Sequence, residues 1–243
     1  MWSPADNSLC TSLNAAVDLP PASRALASRG GAWQTLRVIR QLDLFARGAP
    51  DFDGAFGALR RLSLAWGAWV DHVPGWVTGH DALFEQLERD LAWRHETMQM
   101  YDRIVDVPRL LARVAAHPLI DRMREALSAR YGEPFVYTSA ALYRDGRDSV
   151  AMHGDTTARD MLEAVVATVS LGAPRRFLLK PAEGGPSTAL SLGGGDLVVM
   201  GGTCQRTWRH GIPKVATAGP RIALMFRPPW AANYRTTIAA ASG

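Results

Sequence analysis

Cysteine is scarce in this chain, occurring only at Cys10 and Cys204 among 243 residues. A pair so distant excludes a disulfide framework and a cysteine-based zinc cluster, and the usage fits a reducing compartment. Long apolar runs are missing too. None approaches the ~18 residues of a membrane-spanning helix, so no membrane association is expected. Met1 to Ser23 contains no lysine or arginine, so the basic head of a secretory signal is absent and a cytoplasmic location is the expectation. Lysine appears only at Lys180 and Lys214, which leaves 25 of the 27 basic residues as arginine. Codon usage in a GC-rich genome accounts for that excess. The net charge of +4 permits contact with nucleic acid without arguing for it.

What is present describes one ordinary globular domain with an appendage: 47% hydrophobic and 21% charged residues, in a chain long enough to bury roughly 70% of its unfolded surface. Residues 1–40, rich in Ser, Ala, Asn and Pro, read as an ill-ordered extension, with one short helix around Trp33–Asp43. The domain is expected over 41–232, with a short tail at 233–243. Helical spacing occurs at Ala55–Leu64, His80–Trp93 and Leu119–Tyr131, the last bounded by Pro118 and Gly132. After Gly132 the texture turns to strands: Phe135–Tyr143, Ala164–Leu171, Arg176–Lys180, Ser187–Leu192, Asp196–Met200 and Arg221–Phe226. Glycine- or proline-containing turns separate them. Most gaps between Ala164 and Met200 are too short for the crossover helices of a parallel sheet. The expected plan is α+β, with helices first and an antiparallel barrel or sandwich after them.

Among six histidines, only His153 has an aspartate two positions on, in His153-Gly154-Asp155. In extended backbone both side chains project to one face and can meet one ion. Alone this pair is a weak signal, expected by chance about a third of the time. His210, beyond the Asp196–Met200 strand, supplies a third donor. Two histidines and a carboxylate with open positions opposite suit non-haem Fe(II), and the same set suits zinc with a water. The segment Arg221-Ile222-Ala223-Leu224-Met225-Phe226-Arg227 then weighs toward iron. Its arginines lie an even number of residues apart, so both face one side, ~20 Å apart at the backbone. They can lean inward to bracket a short dianion. An arginine pointing into a barrel needs an acidic partner, and a dicarboxylate co-substrate beside iron supplies one.

His153-Gly154-Asp155, His210 and Arg221 through Arg227, in that order on successive β segments, resemble the AlkB family of Fe(II)/2-oxoglutarate dioxygenases. Three flanking words agree: Leu142-Tyr143-Arg144-Asp145-Gly146-Arg147-Asp148-Ser149-Val150, Val169-Ser170-Leu171-Gly172-Ala173, and Gly195-Asp196-Leu197-Val198-Val199-Met200-Gly201-Gly202. The likeness runs from about Leu44 to Pro228. It implies a double-stranded β-helix (jelly roll) with an N-terminal helical layer and a nucleotide-recognition lid. By the same resemblance, His153, Asp155 and His210 are the iron ligands. Tyr143 and Arg221 hold the far carboxylate of 2-oxoglutarate, and Arg227 lies nearer the metal. The implied reaction uses O2 and 2-oxoglutarate to hydroxylate an N-methyl group on a base in alkylated DNA or RNA, releasing formaldehyde, succinate, carbon dioxide and repaired base. A monomer is expected.

Four positions depart from the family pattern. Ala141 stands where Asn is common, Ala223 and Met225 replace Asn and Thr within the arginine strand, and Thr157 replaces an acidic residue that contacts the methylated base. Asp160 could replace that acid only if its loop folds back. The segment Trp93 to Arg109 corresponds to the lid, with Met98, Met100, Tyr101 and Arg109 as candidate substrate contacts. Stacking against such side chains holds a flipped base, though Met and Tyr here also suit a core that caps the barrel. His72, His80, His95 and His117 have no ligand partner at useful spacing and read as structural. Two other functions remain open at the level of sequence: the same oxidation on a protein, lipid or small metabolite, and an idle jelly roll that binds metal or nucleic acid without turnover.

Overall fold

Short apolar segments between turn residues leave no room for crossovers, and the chain folds into antiparallel sheets. A computed structural model describes residues 48–100, 103–155, 158 and 161–229. In chain order these form β1 (Asp51–Phe52), β2 (Arg60–Ser63), β3 (Ala68–Val73), β4 (Val77–Thr78), α1 (His80–Asp90), β5 (Arg94–Met100) and β6 (Arg103–Arg113). Next come α2 (Pro118–Tyr131), β7 (Tyr137–Tyr143), β8 (Val150–His153), β9 (Val166–Gly172), β10 (Arg175–Pro181) and β11 (Thr188–Leu192). The last are β12 (Leu197–Gly202), α3 (Cys204–Thr207), β13 (Trp208–Ile212) and β14 (Arg221–Arg227). The expected extension, the helix around Trp33–Asp43 and the tail at 233–243 lie outside the described residues.

Eight strands form a large sheet in the order β2-β3-β12-β9-β14-β7-β6-β5, and four form a smaller one, β11-β10-β13-β8. The period-two alternation of β14 divides its residues between two cores. Ile222, Leu224 and Phe226 face a core shared with Leu83, Phe84 and Leu87 of α1 and Leu119, Ile120, Met123 and Leu127 of α2. Ala223 faces the other core, where Tyr143, Val198 and Met200 of the large sheet meet Phe177, Leu179 and Ile212 of the small one. The described residues are therefore mostly β with few helices, in keeping with a jelly roll. Among the described residues no helix is long and apolar enough to cross a membrane.

Local chemistry sets the helix ends. His117 caps α2 by accepting from the Ile120 amide, Pro118 opens the helix, and Gly132 closes it at φ +68°, a conformation open to glycine at little cost. The six strands expected after Gly132 are all present, with ends within two residues of expectation.

Two expectations fail. Ala55–Leu64 is not a helix: Asp53 accepts hydrogen bonds from the Ala55 and Gly57 amides, which bends the chain into turns before it enters β2. Nor do helices precede the sheet as a block. β1 to β4 come before α1, and β3 pairs along its length with β12, so the N-terminal part of the domain contributes strands to the large sheet. The segment expected to hold the lid is an antiparallel hairpin, β5 with β6, attached to the sheet through β7.

Candidate functional site

β8 and β13 are neighbours in the small sheet, and His153 pairs directly with His210 in their register. Cross-strand partners project side by side, so the two imidazoles lie 4.4 Å apart between ring centroids. Asp155 follows as β8 ends. One ligand atom from each of His153, Asp155 and His210 lies within 4.8 Å of the others, close enough to meet a single ion.

The surroundings of each of the three suit it to donate to a metal. His153 Nδ1 lies 2.9 Å from the Ala151 carbonyl, which can only accept, so the proton resides on Nδ1 and Nε2 keeps its lone pair. Burial, with His153 close by, pushes the pKa of His210 down to about 3, so its imidazole is neutral near pH 7. Phe177 stacks on the His210 ring at 5.7 Å. Asp155 is buried, which alone would raise its pKa. The charge and hydrogen bond of Arg227, with His210 and His153 beside it, outweigh that and bring it down to about 2. Arg227 donates to Asp155 Oδ2 through Nε at 2.9 Å, so the carboxylate is ionised and oriented.

The backbone beneath the trio is tightly fitted. The Asp155 amide donates to Gln205 Oε1 at 2.9 Å, buried on both sides. A Cβ at Gly154 would stand 2.4 Å from the Gln205 carbonyl, so only glycine lets the His-Gly-Asp turn lie against α3. Nearby Cys204 is buried, and its thiol is pushed up to about 12, so it is no thiolate ligand at neutral pH.

At the far end of β14, Arg221 is 1% exposed. It pairs with Tyr143 on one side and Gly172 on the other. Its Nε donates to Ser170 Oγ at 2.9 Å, its Cζ lies 5.1 Å from the Tyr143 ring centroid, and Nη1 has no hydrogen-bond partner among the described residues. No ion pair to Arg221 is present among the described residues, and burial lowers its pKa. A buried guanidinium without an anion is costly, and an entering carboxylate removes the cost. The donor set and this orphaned nitrogen together fit a metal ion with a dicarboxylate beside it.

His153, Asp155, His210 and Arg227 are thus brought together, while Tyr143 and Arg221 face the same inter-sheet space from the other end of β14. Arg109 donates through Nη1 to the Ser149 carbonyl at 3.2 Å, which ties β6 to the loop that feeds β8. Met98 and Met100 lie on β5, and their side chains are outside what is described. Tyr101, Thr157 and Asp160 lie outside the described residues. His72 bonds Asp196 at 3.2 Å, a local structural role like that of His117. Of two further residues with contacts in the site, Gln205 has no signal in the sequence, while the sequence puts Arg175 on a segment beside the site and leaves its facing open. For Arg175 a signal exists: it shares the inward period of Phe177 and Leu179, while Arg176 and Lys180 alternate outward.

Beside this mostly-β fold and His-Asp-His trio stands a likeness in sequence: residues 112–227 match the family model described as the 2OG-Fe(II) oxygenase superfamily. The chain is 30% identical over 173 residues to "Alpha-ketoglutarate-dependent dioxygenase alkB homolog 3" of Bos taurus, a match covering 60% of each protein. The protein of the same name from Homo sapiens is 29% identical over 182 residues, covering 63% of this chain and 64% of that one. "DNA oxidative demethylase ALKBH2" of Bos taurus is 29% identical over 134 residues, covering 51% and 48%. The chain therefore spans under two thirds of the length of these three relatives. The chain is thus similar, over part of its length, to AlkB-like 2OG-Fe(II) oxygenases.

Proposed function

We propose that this protein is an Fe(II)/2-oxoglutarate-dependent dioxygenase that demethylates N-alkylated nucleobases in DNA or RNA. The observation that carries the reading is the convergence of His153, Asp155 and His210 on one point, with Arg227 on the carboxylate. The similar proteins are named as a dioxygenase and a DNA oxidative demethylase, which favours the same chemistry here.

In this reading His153 Nε2, an Asp155 oxygen and one His210 nitrogen hold iron. Iron(II) with 2-oxoglutarate and O2 supplies the oxidation of an N-methyl carbon, with succinate, carbon dioxide and formaldehyde as products. Arg227 keeps Asp155 ionised, and the Ala151 carbonyl keeps the His153 proton away from the metal. Tyr143 and Arg221 receive the distal carboxylate of the co-substrate. The β5–β6 hairpin serves as the nucleotide lid, Met98, Met100, Tyr101 and Arg109 remain the candidate base contacts, and α1 and α2 correspond to the helical layer behind the sheet.

The test is direct. The purified full chain, given Fe(II), ascorbate and 2-oxoglutarate, is expected to release formaldehyde from N-methylated oligonucleotides. Succinate formation with formaldehyde from none of them, iron being bound, would move the substrate to a protein, lipid or metabolite. The absence of both products would leave a binding jelly roll.

A further inference from the structure

Four buried side-chain nitrogen or oxygen atoms among the described residues have no hydrogen-bond partner, and two of them belong to arginines beside one phenol ring. Arg221 and Arg175 place their Cζ atoms 5.1 Å and 5.7 Å from the Tyr143 ring centroid. Arg175 is 3% exposed. It opens β10 just after the Gly172-Ala173-Pro174 turn, and Gly172 pairs with Arg221, so the topology carries the second guanidinium toward the first. Its Nη1 donates to the Asp145 carbonyl at 3.2 Å, and its Nη2 to the carbonyls of Asp148 at 2.9 Å and Pro213 at 2.7 Å. These acceptors are neutral. The Asp145 and Asp148 carboxylates bind Arg147 and Arg144 instead. Arg175 Nε is left with no acceptor.

Two buried cations beside one ring, with no carboxylate among the described residues bonded to either, repel one another and have each lost their water. An anion that accepts from both relieves the two costs together. Ala141 and Ala223, cross-strand partners on the inner face of β7 and β14, stand where polar groups are expected and donate nothing. We propose that Arg175, through its Nε–H, is a further contact for the distal carboxylate of a 2-oxo diacid, alongside Arg221 and Tyr143. The inference rests on the dioxygenase reading and adds to it a specificity residue for the diacid.

Calorimetry on the Mn(II)-loaded full chain tests it, with 2-oxoglutarate compared against 2-oxopentanoate, which has the same chain length and no distal carboxylate. Arg175→Met is expected to weaken 2-oxoglutarate binding on the order of 10-fold or more, the loss typical of a charged hydrogen bond, and to leave 2-oxopentanoate unchanged. Arg175→Lys, which keeps the charge without the directed Nε–H, is expected to fall between wild type and Arg175→Met. Equal weakening of both acids would mean that Arg175 only clamps loops, and no weakening of either would mean that it does not meet the ligand. Both results overturn the proposal. If circular dichroism shows Arg175→Met to be unfolded, Arg175→Lys decides, and an undiminished diacid preference overturns the proposal. A wild-type protein that binds Mn(II) but not 2-oxoglutarate would overturn the dioxygenase reading as well, an outcome distinct from the variant results.

Discussion

The chemistry of single residues around the trio depends on partners that are remote in sequence. Asp155 owes its orientation to Arg227 on one side and Gln205 on the other. Gln205 touches no metal in this arrangement and acts through the Asp155 backbone. Gln205→Leu is expected to lower Mn(II) affinity on the order of 10–100-fold, as removal of ligand-supporting groups does elsewhere. Gln205→Glu, which keeps an acceptor oxygen, should recover part of that loss, and paramagnetic resonance of bound Mn(II) reads both. His210 makes the metal-free protein sensitive to acid. Its pKa is held near 3 by burial, against about 6.5 in the unfolded chain. Below about pH 6.5 the unfolded state therefore takes up a proton that the folded state refuses, so stability is full above that pH and falls steadily toward pH 3. Asp155, brought down to about 2, adds loss in the same direction below about pH 4. Thermal melts between pH 7 and pH 4 should slope downward, and His210→Gln should flatten them.

At the scale of elements, patterning reveals an element when its burial is one-sided and its turns are marked. α2 shows both, with Pro118 and Gly132 at its ends and Leu119, Ile120, Met123 and Leu127 on one stripe. Truncating Leu127, fully buried against the large sheet, to alanine should cost about 2–5 kcal/mol, measured by urea unfolding. β8 and β13 lack such a signature. β8 has four residues, none of them fully buried, because it lies at the edge of the small sheet. β13 runs straight out of the single-turn helix α3, with no glycine or proline to mark the start. The two strands that carry the histidines therefore bear no clear mark in the sequence, although the histidines themselves stand out. At Ala55–Leu64 the failure ran the other way. Helical spacing was present, but Asp53 captured the backbone amides first.

For the molecule as a whole, the site lies between two sheets whose facing surfaces become complete only when the fold closes. Ligands that bind the closed form should therefore stabilise it. Mn(II) with 2-oxoglutarate at about a hundred times its dissociation constant is expected to raise Tm by roughly 5–10 °C for a chain of this size. Arg221→Met should lose the 2-oxoglutarate increment and keep that of Mn(II), which differential scanning fluorimetry can separate.

The sequence by itself determined the donor types and their order along the chain, the even spacing that turns Arg221 and Arg227 to one face, and the strand-rich second half, because each of these follows from side-chain chemistry or from the period of extended backbone. The tertiary structure alone decided that His153 and His210 are cross-strand partners, that Gln205 supports Asp155, and that Arg175 and Arg221 share one ring. Those relations depend on strand register and on which faces the two sheets bury against each other, and no local pattern encodes contacts made across dozens of intervening residues.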